Sequence, residues 1–373
     1  MTVQDLELIN FRNYENQKIS FGNGINILYG QNAQGKTNIL EALYIASTGK
    51  SHRTNNYHDL IKYNCEGFEL RLRSNANGRE NSIRIKYSRE KGRFLEINGI
   101  KRDKISDVLG TLNMILFSPE TLDVVKGSPA ERRKFLDILL CQTDRQYLYI
   151  LKRYNKLIKN KAAALKKWKN EKKYEDIFSV WNEHIAALGA KISYLRMIAL
   201  KKLDGYMKEE IKSITSGLET SVLQYKTYCE FDEDSDEDFF REKLSEKLKN
   251  GIEKELNISQ CLYGPHRDDF EILLNDLNSR QFCSQGQQRT LALSLILAEL
   301  FYTEEIKDEK PVLLLDDVLS ELDLKRQEYL LRGLSDVQTI ITTTDDLPFE
   351  KIKDKDIKRF LIREGTVYIS ENI

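Results

Sequence analysis

The sequence predicts an α/β fold: a head with a mixed or antiparallel β subdomain, interrupted by an inserted helical domain that carries a short antiparallel coiled-coil arm. Three observations predict it. A strand, a glycine-bearing loop and an apolar helix follow one another over residues 25–47, an all-apolar strand at 311–317 ends in two aspartates, and two heptad seams lie between them. We expect the head to comprise residues 1–125 and 258–373 and the insertion residues 126–257.

Length, charge and cysteine usage limit the possible classes of protein. A chain of 373 residues is long enough for two domains or for one domain with a large insertion. Basic and acidic residues number 58 each, so a nucleic-acid surface would have to be a local patch. The five cysteines lack CxxC spacing and the four histidines are scattered, which disfavours disulfide and metal frameworks. The acidic N-terminus and the short apolar runs predict a cytoplasmic protein rather than a secreted or membrane one.

The loop Gly30–Thr37 matches the phosphate-binding pattern G-x-x-x-x-G-K-[ST]. Ile25–Tyr29 reads as the strand before it, and residues 37–47 read as the helix after it, with Gly49 as its stop. Glycines let backbone N–H groups curl around phosphates, and the helix N-terminus favours the same anion. We expect ATP and Mg²⁺ as cofactors, with Lys36 on the β- and γ-phosphates and Thr37 on the metal. The predicted nucleotide contacts in this segment are Gly30, Gln31, Asn32, Ala33, Gln34, Gly35, Lys36, Thr37 and Asn38.

The run Pro311–Asp317 supplies the second half of the predicted site. A short all-apolar strand is typical of a parallel sheet buried on both faces, and ligands bind at the carboxyl ends of such strands. We assign Asp316 to the magnesium shell and Asp317 to orienting or deprotonating the attacking water. Together with Lys36, these two aspartates are the predicted catalytic residues.

A third motif, Ser284–Gln288, reads Ser-Gln-Gly-Gln-Gln before an apolar helix predicted from about Thr290 to Tyr302. It resembles the signature motif of ABC ATPases, and Ser284 lies 32 residues before Asp316, near the family's spacing. A helix N-cap and a polar turn is the alternative interpretation of the segment alone. The resemblance implies an ATP-dependent homodimer with two nucleotides between its protomers. The further contacts implied are Ser284, Gly286, Gln287 and Gln288, Asp323 of the D-loop, and Thr344 at the end of the strand predicted at 340–344.

Two departures from the general ABC pattern predict a slow ATPase that acts as a switch. Asp317 stands where glutamate is commoner, and its side chain is one methylene shorter. Thr343 or Thr344 stands where a histidine usually contacts the γ-phosphate. Both differences weaken the predicted hold on the attacking water and the γ-phosphate.

Between Lys36 and Ser284 lie 248 residue steps, far more than one ATPase lobe needs. The pattern there predicts two helices joined by a polar break at 169–176, each about 25 residues long, or roughly 35–40 Å at 1.5 Å per residue. Lys161 interrupts the first seam. The predicted seam residues are Tyr147, Leu151, Tyr154, Ile158, Lys161, Leu165 and Trp168 in one helix, and Phe178, Trp181, Ile185, Leu188, Ile192, Leu195 and Ala199 in the other.

Between Lys152 and Lys173 the first of these helices contains ten basic residues and one acid. The pattern fits either a solvated charged face or a patch that follows DNA phosphates. An acidic run at 230–238 fits a solvated loop or a docking site for a basic partner. The candidate DNA contacts are Lys152, Arg153, Lys156, Lys159, Lys166 and Lys167.

Three local expectations complete the chain. Weak alternation over residues 68–97 predicts an antiparallel β meander, with the alternating segment 6–14 as its neighbour. Ser128, followed by Pro129 and Glu131, predicts a capping box that opens the helical region. Arg267 is expected either to form a structural ion pair with a neighbouring aspartate or to be a functional contact residue.

Whole segments narrow the resemblance to the RecF family of bacterial DNA-repair proteins, over residues 5–345. The segments are Asn10–Tyr14, Tyr29–Asn38, Ser51–Arg53, Phe117–Glu120, Tyr263–Asp269 and Ser284–Arg289. Members of this family also carry the double aspartate and lack the switch histidine. We expect Arg12 and Asn13, in the first of these segments, to contact the nucleotide.

The resemblance implies a nucleoid-associated recombination mediator that binds double-stranded DNA at junctions with single-stranded gaps. Such a mediator would load a recombinase with RecR- and RecO-type partners, and slow ATP hydrolysis would release its dimer. Three alternatives remain open: a short-armed chromosome-organising scaffold related to SMC proteins, the ATPase subunit of an ABC transporter, and a nuclease-coupled repair ATPase.

Overall fold

A computed structural model of the chain divides it into two compact units. Residues 1–122 and 285–373 form the first, here called the head unit, and residues 123–284 form the second, the insertion unit. No helix within the described part of the chain is both long enough and apolar enough to cross a membrane. The structure describes residues 1–167, 175–334, 336–344 and 356–370.

The insertion ends later than the sequence predicts, at residue 284 instead of 257, whereas its start at 123 lies close to the predicted 126. The reason is a strand pairing: Asp269–Leu274 lies antiparallel to Ser221–Lys226. Because these backbones share a ladder, the residues after 257 fold with the insertion rather than with the head.

The described residues contain fifteen strands and ten α-helices. The strands are β1 Thr2–Phe11, β2 Tyr14–Ser20, β3 Ile25–Tyr29, β4 Gly67–Ala76, β5 Arg79–Ser88, β6 Gly92–Ile97, β7 Ile100–Arg102, β8 Met114–Phe117, β9 Ser221–Lys226, β10 Asp269–Leu274, β11 Leu277–Asn278, β12 Val312–Asp316, β13 Thr339–Thr343, β14 Ile357–Arg363 and β15 Thr366–Ser370. The helices are α1 Lys36–Thr48, α2 Leu122–Lys126, α3 Pro129–Thr143, α4 Arg145–Lys167, α5 Glu175–Ile214, α6 Glu237–Asn250, α7 Ile252–Ile258, α8 Ser279–Phe282, α9 Gln285–Lys307 and α10 Leu324–Gly333.

The head unit contains two six-stranded sheets. The first has the order β2-β1-β4-β5-β6-β7 with antiparallel neighbours, which confirms the predicted meander and its N-terminal neighbour. The second has the order β15-β14-β3-β13-β12-β8, in which β15 is antiparallel and the other neighbours are parallel. Helix α1 contacts strands of both sheets, so its apolar residues are buried all round.

The mixed sheet determines where a functional site can form. Strand β3 matches its predicted bounds, and α1 ends at Gly49, whose left-handed φ of 70° stops the helix as expected. Strand β12 lies between β13 and β8. The carboxyl ends of β3, β13, β12 and β8 therefore meet at one edge, where the phosphate loop and the two aspartates follow.

In the insertion unit, α4 and α5 form an antiparallel hairpin. Arg196 of α5 donates to the Tyr147 hydroxyl near the start of α4 at 3.0 Å, and Leu165 near its end shares a core with Phe178. Helix α4 has 23 residues, or roughly 35 Å, but α5 has 40, far more than predicted. The predicted break at 169–176 and the seam residue Trp168 fall largely outside the described residues.

The two helices of the predicted arm also pack against further helices of the insertion unit, which the heptads do not predict. Leu256 of α7 and Cys261, which follows that helix, pack onto the core of Leu165 and Phe178, and α6 contacts α5 extensively. Lys161, the apparent break in the seam, is fully buried in an ion pair with Glu255 at 2.5 Å. The apolar stripe is wider than a two-helix seam requires, so α6 and α7 cover its remainder.

One local prediction in this unit is wrong, and of the two alternatives for Arg267 the bridge to an aspartate does not form among the described residues. Pro129 opens α3 as expected, but the Ser128 side chain makes no capping hydrogen bond, so no capping box forms. Arg267 donates to the Cys261 carbonyl rather than to an aspartate. A bidentate pair from Arg132 holds Asp269 instead, because α3 packs on β10 and brings this arginine within 2.7 Å.

Candidate nucleotide-binding site

The predicted phosphate loop connects β3 to α1 at the edge of the mixed sheet. Gly30 and Gly35 have φ values of 146° and 115°, and a Cβ atom at Gly30 would lie 2.4 Å from the Ile362 carbonyl oxygen. Only glycine fits such a backbone without strain. No side chain caps α1, so its first N–H groups are available to an anion.

Lys36 closes the loop from the inside. Its ammonium group donates to the carbonyl oxygens of Gly30 at 2.5 Å and Gln31 at 2.8 Å. Burial lowers the pKa of Lys36, and the nearby carboxylates of Asp317 and Asp316 oppose that shift. The cation is therefore held within the loop and close to both predicted catalytic carboxylates.

Asp316 accepts hydrogen bonds from hydroxyl groups on two other elements. Thr37 of α1 donates to its Oδ1 at 2.9 Å, and Thr342 of β13 donates to the same oxygen at 2.8 Å. Hydroxyl and carboxylate oxygens are the hard ligands that Mg²⁺ prefers. The donors present thus fit the predicted metal, for which Thr37 and Asp316 stay the predicted protein ligands.

Asp317 lies in the left-handed region, with a φ of 54°. Its N–H donates to the Thr342 hydroxyl at 2.9 Å, and Ser320 donates to its carbonyl oxygen at 2.7 Å. Thr342 thus orients both aspartates, a function that the sequence analysis missed. A threonine within a fully buried strand was the available signal, because a buried hydroxyl requires a partner.

The two N-terminal residues predicted from the family resemblance lie beside the loop but contact protein groups. Arg12 forms a bidentate pair with the buried Glu41 of α1, at 2.7 and 2.8 Å. Asn13 donates to the Gln34 carbonyl oxygen at 2.8 Å and accepts from Asn38 at 2.8 Å. Direct nucleotide contact by Arg12 and Asn13 stays a prediction.

The remaining loop residues differ in exposure. Gln31, Asn32 and Ala33 are exposed, and Ala33 has a left-handed φ of 63°. Gln34 is half-buried, and its side-chain oxygen accepts from the Glu364 N–H at 2.6 Å. The exposed residues leave the mouth of the loop open, while Gln34 is fixed to the hairpin of β14 and β15.

The signature segment lies at a helix start rather than before one. Helix α9 begins at Gln285, about five residues earlier than predicted, so Gly286, Gln287 and Gln288 form its first turn. The Thr290 hydroxyl donates to the Gly286 carbonyl oxygen at 3.0 Å, a side-chain hydrogen bond across the first turns of this helix. Ser284 precedes the helix at the boundary between the two units.

Asp323 of the predicted D-loop caps α10. Its side chain accepts from the Arg326 N–H at 2.9 Å and pairs with the Arg326 guanidinium, which also donates to Thr290 at 2.8 Å. The backbone hydrogen bond from Arg326 is the leading cause of a lowered Asp323 pKa. Thr344 directly follows β13 and is half-buried. Its nucleotide contact stays a prediction.

Two segments quoted for the resemblance also lie near the site, although no role was predicted for their residues. Arg53 donates to the Asn38 side chain at 2.9 Å. Glu120 follows β8, and its pKa is lowered: burial raises it, but hydrogen bonds from the Ser118 hydroxyl and its own backbone N–H, with the charges of His52 and Arg53, outweigh burial. His52 has two buried ring nitrogens without a hydrogen-bond partner among the described residues.

Five of the six candidate DNA contacts on α4 are exposed, and Lys152 is half-buried. The Arg153 guanidinium lies 5.4 Å from the centre of the Tyr149 ring, itself largely exposed. The basic residues at 169–173 lie outside the described residues. Helix α4 therefore presents a charged outer face, whereas its inner face packs within the insertion unit.

Comparison with known proteins places the chain in a family. The family described as "RecF/RecN/SMC N terminal domain" matches residues 2–367. A protein of Clostridium kluyveri named "DNA replication and repair protein RecF" is 43% identical over 367 residues, covering 98% of this chain and 99% of the relative. A protein of the same name from Acetivibrio thermocellus is 39% identical over 368 residues, covering 99% and 100%.

Solved structures agree with these relatives. Structures of the recombination mediator protein RecF in the RecFOR pathway, one with ATP and one with the compound written ATPrS, match with TM-scores of 0.92 and 0.91. Each is 37% identical and covers 99% of this chain and 98% of its own. An SMC head from Pyrococcus furiosus shares the fold, with a TM-score of 0.57, 18% identity and coverage of 99% and 96%. The chain belongs to the RecF family, within the RecF/RecN/SMC class of ABC-type ATPases.

Proposed function

We propose that the protein is an ATP-dependent recombination mediator that binds double-stranded DNA beside single-stranded gaps and helps to load a recombinase. One observation carries the proposal: Lys36, Thr37 and Asp316 lie close together at one edge of the mixed sheet. Thr37 and Asp316 are hydrogen-bonded although they are 279 residues apart in sequence. The relatives and solved structures with RecF names support the biological task.

In the proposed site, ATP is the substrate and Mg²⁺ the resident cofactor. The metal would neutralise phosphate oxygens when bound. The loop N–H groups and the start of α1 bind the phosphates, and Lys36 exchanges its loop carbonyl partners for phosphate oxygens. Asp317, positioned by Thr342, orients the attacking water and accepts its proton.

We infer that hydrolysis is slow and that it sets the time for which the ATP-bound dimer stays on DNA, so that ATP acts as a timer. Asp317 is one methylene shorter than the commoner glutamate, and Thr343 or Thr344 stands at the usual histidine position. We expect a steady-state turnover well below about 10 s⁻¹, the median for enzymes. A turnover above that value would exclude the timer.

The signature segment supports a composite site made by two copies of the chain. In this proposal the first turn of α9 supplies a second helix start that favours an anion. In the proposed homodimer, the segment of one copy closes over ATP held by the other. The D-loop aspartate Asp323 and Thr344 would lie near the same closed interface.

Sedimentation of the pure protein tests the dimer and the ATP site together. The protein is run without nucleotide, with ADP, and with ATP and Mg²⁺, each with and without a gapped duplex. We expect the wild-type protein to dimerise with ATP. The Ser284→Arg variant should bind ATP yet stay monomeric, whereas the Lys36→Arg variant should already be impaired in ATP binding. A wild-type protein that remains monomeric in every condition would refute the composite site.

The exposed lysines of α4 are proposed to contact DNA phosphates, and charge reversal tests them. The double variant Lys156→Glu, Lys159→Glu should bind a gapped duplex more weakly. The slope of the logarithm of the binding constant against the logarithm of the salt concentration should become shallower by about 0.9 per lost phosphate contact. Lys247→Glu with Lys249→Glu, exposed on α6 of the same unit, is the matched control. Equal affinities for the two double variants would remove α4 from the DNA site.

A RecR-type partner belongs to the same proposal. Adding purified RecR and RecO to the sedimentation series measures whether either protein joins the DNA-bound dimer. Co-sedimentation that requires ATP and DNA supports mediation, and its absence would leave an ATP-dependent DNA clamp without that task.

A further inference from the structure

The outer side of the phosphate loop is held by a chain of side-chain hydrogen bonds. Arg53 donates to Asn38, Asn38 donates to Asn13, and Asn13 donates to the Gln34 carbonyl oxygen, at 2.9, 2.8 and 2.8 Å. Tyr14 donates to the Gly35 carbonyl oxygen at 3.0 Å. The carbonyl groups at the end of the loop are therefore fixed from outside, opposite to Lys36.

The C-terminal hairpin completes this outer support. Strand β14 runs parallel to β3, so its turn into β15 lies at the edge that carries the phosphate loop. The Glu364 N–H donates to the Gln34 side-chain oxygen at 2.6 Å, and the Gly365 N–H donates to the Gln34 carbonyl oxygen at 3.3 Å. Both turn residues have left-handed φ values, 51° and 71°.

Gly365 is required where the turn meets the N-terminal strands. A Cβ atom there would lie 2.7 Å from the Asn13 carbonyl oxygen, and its φ already disfavours any other residue. The hairpin turn, the Asn13 segment and Gln34 therefore touch one another. Among loop residues 31–34, Gln34 alone has a side chain hydrogen-bonded to another described residue.

We propose that the Glu364–Gly365 turn is a positioning element of the nucleotide site, which holds Gln34 so that the phosphate loop is ordered before the nucleotide arrives. The inference rests on the proposed ATP binding at this loop. A loop that is already ordered loses less conformational entropy on binding, so affinity is higher for the same phosphate contacts. The turn touches no phosphate itself and acts through Gln34.

The chain offers a matched comparison. Gln17 of β2 is also half-buried, and its side-chain oxygen accepts from the Val367 N–H of the same hairpin at 3.1 Å. Gln34→Leu and Gln17→Leu each remove one glutamine-to-backbone hydrogen bond to this hairpin. Only the first of the two bonds involves the phosphate loop.

The experiment measures the dissociation constant of Mg²⁺–ATP and of ADP, and the thermal midpoint, for the wild-type protein and both leucine variants. Losing one half-buried hydrogen bond should weaken both nucleotides by up to about tenfold in Gln34→Leu. Gln17→Leu should match the wild-type affinity and lose a similar amount of thermal stability. Gly365→Ala, which displaces the turn through Asn13, should weaken nucleotide binding as well.

Either of two results would overturn the proposal. Gln34→Leu could bind ATP and ADP as the wild-type protein does, or Gln17→Leu could weaken them equally, which would mean that the hairpin acts only through stability. Wild-type binding is measured in the same series. A wild-type protein that fails to bind ATP would therefore refute the proposed function itself and not the role of the turn.

Discussion

Two clusters of polar residues, one in each unit, place an aspartate next to a strand end, and they differ in how completely that aspartate is paired. In the head unit, the described hydrogen-bond partners of Asp316 are the neutral hydroxyls of Thr37 and Thr342. In the insertion unit, Asp268 accepts from Tyr225, from Thr227 at 2.8 Å and from Ser193 at 3.2 Å.

A buried arginine completes the second cluster. Arg196 lies 3.6 Å from Asp268 and 2.7 Å from Asp137, and it also donates to the Tyr147 hydroxyl and the Pro265 carbonyl oxygen. The guanidinium is 2% exposed. All of its recorded partners lie within the insertion unit, so it connects α3, α4, α5 and the segment before β10.

The difference separates a structural cluster from a binding site. A buried carboxylate that already has a permanent cation and three hydroxyl donors has no capacity left for a ligand. Asp316, although buried, has two neutral donors on one of its oxygens, and its remaining acceptor capacity suits a metal ion. Four predictions test this comparison, from the largest expected effect to the smallest.

The largest effect is expected when Arg196 is replaced by methionine, which should lower the free energy of unfolding of the insertion unit. It leaves Asp268 and Asp137 without their buried cation, which costs about 3–5 kcal/mol. Both tryptophans of the sequence, Trp168 and Trp181, fall within residues 123–284, so urea unfolding is followed by tryptophan fluorescence. Lys201→Met, which breaks the exposed pair with Glu233, should not shift the midpoint. Equal midpoints for the two variants would contradict a structural role for the cluster.

A buried histidine of the same unit, His266, should make the insertion unit sensitive to acid. The Cys261 carbonyl oxygen can only accept, so Nε2 carries the proton and Nδ1 accepts from the Tyr154 hydroxyl at 2.7 Å. Burial lowers the pKa of His266 to about 4 from 6.5. The unfolded chain therefore binds the proton first, and up to about 3 kcal/mol of stability, present above pH 6.5, is lost as the pH falls towards 4.

Urea unfolding of the wild-type protein and of His266→Gln between pH 7 and pH 5 measures this effect. The glutamine variant should lose less stability over that interval, because it cannot take up the proton. His184→Gln, exposed on α5 of the same unit, serves as the control and should follow the wild-type profile. Parallel profiles for all three proteins would count against His266 as the source.

In the head unit, Lys36→Ala should abolish hydrolysis and weaken ATP by about 100-fold, since it removes charge-assisted contacts to two phosphate oxygens. The tryptophan-monitored midpoint should stay unchanged because the side chain holds only the loop. Titration calorimetry with Mg²⁺–ATP measures the affinity. Lys50→Ala, exposed just after α1, is the control and should bind normally.

The smallest effect is expected for Thr342→Val, which keeps the shape of the side chain but removes the hydroxyl shared by Asp316 and Asp317. We expect kcat to fall about tenfold, with little change in ATP affinity, because the phosphate contacts remain. Thr339→Val, on the same buried strand with its hydroxyl on the Val337 carbonyl oxygen, is the matched control. A similar loss of kcat in both variants would point to strand packing instead.

Much of the head could be predicted because its signals are local. The strand at 25–29, the helix ending at Gly49 and the β meander depend on residues adjacent in sequence, and all three are confirmed. The insertion was predicted less well. A heptad pattern records that one helix face is apolar, but it does not say whether one partner or three cover that face, which is why α6 and α7 were not foreseen around the hairpin.

The site shows the same division. Lys36, Thr37 and Asp316 could be named because their motifs are contiguous. The roles of Thr342 and Arg326, and the contact of Gln34 with the hairpin turn, depend on pairings between distant segments. The same limit applies to Arg12 and Asp323: sequence predicted nucleotide contacts, and the structure pairs the first with Glu41 and makes the second a helix cap.

By itself, the sequence determined the class of fold, the phosphate loop and the acidic strand end, since each is encoded in a few consecutive residues whose geometry follows from glycine conformations, helix starts and buried strands. Only the tertiary structure decided which groups share a hydrogen bond. The order of β14, β3, β13 and β12 in one sheet brings Glu364 to Gln34 and Thr342 to Asp316. Such contacts depend on strand order, which no local pattern records.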